Sequence, residues 1–99
     1  MIKEKLLTKS SIIRAASKIS GLSEGLIRGS SRVNTLVLVR NLCYKIAKDH
    51  LYLSDREIAR SFAKDRSSVT YALKETDKKL EERKQYRILL RLIEEELGL

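Results

Sequence analysis

The chain contains no proline and no tryptophan, and only one cysteine, one histidine and one phenylalanine among its 99 residues. Each shortage excludes something. With Cys43 alone there is neither a disulfide framework nor a cluster of metal thiolates, which fits a reducing, cytosolic compartment. Neither His50 nor Cys43 has a positioned partner visible in the sequence, and no GxxxxGK[ST] phosphate loop occurs. The chain is therefore expected not to be an enzyme and to need no cofactor and no metal. The basic start, MIKEKLLTKSS, has no long apolar run behind it. The longest nearly uncharged stretch, 33–39, is far too short to cross a bilayer.

What the chain does have is positive charge. Lys and Arg number 21 against 13 Asp and Glu, leaving +8. Such a surplus implies an anionic partner, either nucleic acid or an anionic membrane. Residues 1–27 carry five bases and two acids (+3), residues 28–74 ten bases and four acids (+6), and residues 75–99 six bases and seven acids (−1). The excess is densest in the middle of the chain. A membrane surface is the weaker candidate, because the apolar stripes are needed to close a core and tryptophan is absent.

Strand-like alternation is never sustained, and helical spacing recurs instead, so the expected fold is all-α, a bundle of five to six helices. Residues 1–9 read as a basic N-terminal segment and 10–99 as one domain. The first helix is predicted from about Lys9 to Ser20, with Ile12, Ile13, Ala16 and Ile19 facing inward and Gly21 as its stop. A short turn or helix follows over 22–27, capped by Ser23. Arg28-Gly29-Ser30-Ser31-Arg32 is the clearest break in the chain. A long central helix then runs from Val33 to about Leu51, with Leu36, Val39, Cys43, Ile46 and His50 on one stripe and Arg40 and Asn41 on or beside the solvent side. Packing is the expected role of both Cys43 and His50.

Ser54-Asp55-Arg56-Glu57 fits a capping box, in which Ser54 accepts from the Glu57 amide while Glu57 reaches back. Ile58, Ala59 and Phe62 face inward from the short helix it opens. Ala63–Arg66 forms a polar turn, and Asp65 or Ser67 is placed to cap a longer helix. Val69, Ala72, Leu73, Thr76 and Leu80 line its inner face, leaving Ser67, Ser68, Thr70, Tyr71 and Lys74 outside. A capped short helix, a tight polar turn and a helix with a polar leading edge read as a helix-turn-helix over about 54–84. Short hydroxyls among longer donors suit a face that meets base edges and phosphates. Arg28 and Arg32 flank a flexible Gly-Ser-Ser segment, which lets a guanidinium enter a narrow, electronegative minor groove. Tyr71 is placed either to stack on a sugar or base or to cover the core edge. The bland alternative for every basic residue is a solvated surface. The tail, about 87–97, is amphipathic through Leu89, Leu90, Ile93 and Leu97 and reads as a packing helix.

Ser54–Ala72 resembles the C-terminal DNA-binding domain of the bacterial replication initiator DnaA. That family has a Glu-Ile-Gly/Ala supporting helix, a Phe, then an Arg-Asp-His-Ser/Thr-Thr-Val signature and an Ala one turn on. The corresponding residues are Glu57-Ile58-Ala59, Phe62, Lys64-Asp65-Arg66-Ser67-Ser68-Val69 and Ala72. Upstream, 12–27 resembles the leading helix and turn, 28–32 the basic loop, and Arg40-Asn41 an Arg-Gln pair on the central helix. The resemblance implies that Arg32, or failing that Arg28, enters the minor groove. It implies that Arg40, Asn41 and Lys48 hold phosphates and that Asp65, Arg66 and Ser67 meet base edges, with Ser68 and Lys64 beside them. Arg56, near the place of a proline common in the family, and Tyr71 complete the candidate set.

There are departures. Lys64 stands for the signature Arg and Arg66 for its His, the turn after Phe62 is one residue shorter, and the expectation is a free-standing domain without an ATPase module or a fragment of a longer initiator-like protein. The expected function is thus sequence-specific binding of double-stranded DNA, in replication or its regulation, in the cytoplasm on the nucleoid. The fold also resembles the Trp repressor, which leaves a transcriptional regulator open. A module that docks a protein partner, or a second copy, through the C-terminal amphipathic helix is the alternative of a different class.

Overall fold

Local capping signals set the starts of three of the helices. The computed structural model describes residues 7–99 and contains six helices: α1 (Lys9–Ser20), α2 (Glu24–Arg28), α3 (Asn34–Leu51), α4 (Asp55–Phe62), α5 (Arg66–Glu82) and α6 (Lys84–Glu96). Most of the basic N-terminal segment expected over 1–9 lies outside the described residues. At the start of α1, Thr8 accepts from the Ser11 amide and the Ser11 hydroxyl accepts from the Thr8 amide, which satisfies two otherwise orphaned donors. Gly21 ends α1 at φ 76°, in the left-handed region where a side chain would be strained. Ser23 caps α2 through the Leu26 amide.

The capping box expected at 54–57 is present, with Ser54 Oγ accepting from the Glu57 amide at 3.1 Å and Glu57 Oε1 from the Ser54 amide at 3.0 Å. That second bond holds the Glu57 carboxyl below its usual pKa. The last helix opens at Lys84, three residues earlier than the apolar pattern indicates. Arg83 is extended, at φ −124° and ψ 116°, and alone separates α5 from α6. The Arg87 guanidinium reaches back to the Leu80 and Glu81 carbonyls at 2.6 and 3.1 Å, supplying donors and positive charge to the end of α5.

The helices pack α1 against α3 and α6, and α3 against α5, with α4 seated on α5. Ile12, Ile13, Ile27, Leu42, Ile46, Ile58, Val69 and Ile93 meet in the interior and are fully buried, each contributing about 1.5–3 kcal/mol of transfer free energy. Cys43 is buried among them, and desolvation pushes its thiol up to about 12. His50 is only half-buried. Its Nε2 lies 2.9 Å from Glu94 Oε2 and joins the end of α3 to α6. The supporting helix is pinned from two sides. Phe62 meets the Tyr44 ring edge-on, with centroids 5.0 Å apart, and Lys9 Nζ donates to the Ser61 carbonyl at 2.7 Å. The apolar face of α6 through Leu89, Leu90, Ile93 and Leu97, a candidate for docking a partner or a second copy, packs against the core, while Ile88 and Leu92 are exposed.

Candidate nucleic-acid interface

The turn between α4 and α5 is short because α4 ends in a left-handed residue. Ala63 sits at φ 55° and ψ 48°, where its amide reaches the Arg60 carbonyl and the Lys64 amide reaches the Ala59 carbonyl at 2.8 Å. The chain thus reverses within three residues, and Asp65 takes the N-cap position of α5 in extended conformation, with no side-chain cap bond. Asp65, Arg66, Ser67 and Ser68 are all exposed at the leading end of α5, while Val69 and Leu73 anchor its inner face in the core. Tyr71, 67% exposed, lies one turn in, projecting far more than a residue that merely covers the core edge. Arg66, Ser67, Thr70, Tyr71 and Lys74 line one shallow surface depression. Arg66 also lines a second one with Lys48, Ser54, Asp55 and Arg56. Among the described residues, none of the side chains of Arg56, Arg66, Ser67, Ser68, Tyr71 or Lys74 is committed to a hydrogen bond or ion pair within the protein.

The basic loop reaches the same end of the molecule. Arg28, at the end of α2, lines a small hollow with Lys9, Ser61, Phe62 and Ala63, directly against the turn. Arg32 is exposed, between Ser31 and the start of α3. Gly29 and Ser30, between the two arginines, are bound by Lys64 Nζ, which donates to the Gly29 carbonyl at 2.7 Å and to Ser30 Oγ at 2.9 Å. Lys64 is half-buried by this reach. Desolvation, with the nearby Arg40 charge second, holds its pKa below the usual lysine value.

Three placements differ from the sequence expectation. Arg40 is not on the solvent side; it is 6% exposed, and its guanidinium donates to three backbone carbonyls. Nε bonds the Ile27 oxygen at 2.8 Å, Nη1 that of Ser31 at 3.0 Å and Nη2 that of Leu26 at 3.1 Å. The physical reason is that these carbonyls end α2 and open the loop, where no helical amide follows to satisfy them, and a planar fork of five donors answers them together. The position was readable: Arg40 lies four residues after Leu36 and three before Cys43, on the inward stripe. Asn41 is also displaced. It faces a polar groove between α3 and the second half of α5, beside Glu75, Thr76 and Lys79, away from the leading end of α5. Thr70 does not project from the reading face either. Its hydroxyl donates to Asp55 Oδ2 at 2.6 Å, while Asp55 Oδ1 accepts from Lys48 Nζ at 2.7 Å. The Lys48 and Thr70 bonds hold the Asp55 carboxyl below its usual pKa. Lys48 therefore sits at the edge of the surface with its charge already answered.

Sequence reasoning passed over Tyr52. It ends α3 in the left-handed region at φ 56° and is 86% exposed, two residues ahead of the Ser54 cap. Nothing in the local pattern signals this, because a non-glycine left-handed residue is set by the packing on either side of it.

A short capped helix, a tight turn and a longer helix with an exposed polar leading edge, carried on a six-helix bundle, define a helix-turn-helix domain. The family model for the bacterial DnaA protein helix-turn-helix matches residues 10–75. The chain belongs to that family, which is a DNA-binding family and not a catalytic one. No curated protein matches the chain significantly. Among the described residues, no helix is long and apolar enough to cross a membrane.

Proposed function

We propose that this domain binds duplex DNA sequence-specifically, with the leading end of α5 in the major groove and the Arg28–Arg32 loop in the adjacent minor groove. The observation that carries this reading is the convergence at one end of the molecule of exposed, uncommitted side chains. Arg66, Ser67 and Tyr71 come from α5, Arg56 from α4 and Arg28 from the loop, with Ser68 also exposed on α5 and Arg32 in the loop. Asp65, Arg66 and Ser67 are the base-edge readers, with Ser68 beside them, and Tyr71 stacks on a sugar or base. Arg56 holds phosphate, and Lys48 is available to do so only when it leaves Asp55. Arg32 and Arg28 supply the minor-groove contact. With Arg66 in the reading position, the word read differs from that of a relative carrying His there. The resemblance to the initiator points to replication or its regulation as the process served, in the cytoplasm on the nucleoid.

The test is selection of bound duplexes from a random pool, followed by binding measurements on the selected site. Arg66→Ala is expected to narrow the gap between selected and random DNA by about 1–3 kcal/mol, and Arg56→Ala to weaken both alike. If the pool yields no enriched sequence, sequence-specific reading is wrong. Identical behaviour of the two variants contradicts the division into readers and clamps.

A further inference from the structure

Two cations at the candidate interface are turned inward, and both are spent on the same six-residue stretch of chain, 26–31. Arg40 takes the carbonyls of Leu26, Ile27 and Ser31 from beneath, while Lys64 takes the Gly29 carbonyl and the Ser30 hydroxyl from the turn. Lys64 stands one residue before Asp65, the N-cap of α5, so its stem springs from the backbone that aims the reading helix. The loop residues it grips lie 35 and 34 positions earlier in the chain. Three ammonium donors on a flexible stem can serve two oxygens at once, and bringing a second positive group near Arg40 is tolerable only because these oxygens receive it.

We infer that Lys64 is a positioning residue, a strut that fixes the Arg28–Arg32 loop to the start of α5 and so sets the spacing between the minor-groove and major-groove contacts, rather than a contact to DNA itself. This rests on the DNA-binding reading above. A loop of Gly and Ser held in place before binding loses less freedom when its arginines enter the groove, so the strut acts through preorganisation. Its loss is felt through Arg32, whereas loss of a phosphate contact is felt through salt.

Lys64→Met removes the donors and keeps most of the stem, and a thermal melt establishes that the variant folds. In the free protein, backbone amide order parameters at Gly29, Ser30 and Arg32 are expected to fall from near about 0.85 towards about 0.6, with no change in the α1 and α3 amides. On a selected duplex, Lys64→Met is expected to weaken binding about tenfold in the wild-type background but less than about twofold when Arg32 is already Ala, with the salt slope unchanged. Order parameters that stay at the wild-type value overturn the strut. Fully additive losses with a slope flatter by about 0.9 assign Lys64 to a phosphate instead. Failure of the wild-type chain to bind any duplex sinks the DNA-binding reading, and the positioning role with it. Failure of the positioning role alone is recognised by a wild-type chain that binds duplex DNA and a loop that stays ordered in Lys64→Met.

Discussion

Replacing Arg40 by methionine separates a buried strut from an exposed phosphate clamp. Methionine fills most of the volume of the arginine stem but donates nothing, leaving the carbonyls of Ile27, Ser31 and Leu26 without the bonds now 2.8–3.1 Å long. A hydrogen bond from a charged donor contributes about 1.5–3 kcal/mol when buried. The Ile27 bond is buried and the other two are part-buried, so water recovers some of their loss. Counting the first in full and the others at half gives about 3 kcal/mol or somewhat more. For a domain of this size, each kcal/mol moves the midpoint by about 4–8 °C, so Tm should fall by about 12 °C or more. Calorimetry or circular dichroism at pH 7 reads this directly. A surface clamp gives the opposite pattern, with Tm unchanged and only the salt dependence of DNA binding altered. A drop under about 3 °C would refute the strut.

Asp55 joins α4 to both Lys48 and Thr70. Asp55→Asn should lower stability by about 1–2 kcal/mol in urea melts near pH 7, since one charged bond and the favourable charge at the start of α4 are lost. Because the folded carboxyl titrates below its ordinary value, its contribution is present above about pH 4 and is lost as the pH falls through the lower folded value. The variant and the wild type should therefore converge in acid, and a stability difference that does not shrink as the pH falls contradicts the assignment. The same substitution frees Lys48, so the salt slope of DNA binding should steepen by about 0.9. Ala63 holds a left-handed backbone without being glycine, and Ala63→Gly should stabilise the turn by up to about 1 kcal/mol in the same melts. Destabilisation there would mean that the Ala63 methyl group packs usefully.

Much of the architecture was legible because it is written locally. The Ser54–Glu57 box, Gly21 and the Ser23 cap are signals three or four residues long, and each stands where its pattern placed it. The exposed leading edge of α5 was readable from Val69 and Leu73, which fix the inner face. The inward placement of Arg40 was readable from its stripe, but the bonds that Arg40, Lys64 and Thr70 make were not legible. Their partners lie between 9 and 35 residues away in the chain, and each bond satisfies an oxygen whose need arises only once the helices are packed. Charge patterning assigns such residues to the surface, because unpaired burial is costly. It has no means of foreseeing that carbonyls of the Arg28–Arg32 loop will supply the pairing. Lys48 and Arg56 differ for the same reason: among the described residues Lys48 has an intramolecular carboxylate, Asp55, and Arg56 has none.

DNA binding by this domain is tested most directly by one titration, the affinity of the wild-type chain for a selected duplex as a function of salt. If about six phosphates are neutralised by the loop, Arg56 and the leading end of α5, log affinity should fall against log salt with a slope near about −5. A slope near zero, or no duplex binding at low salt, contradicts it.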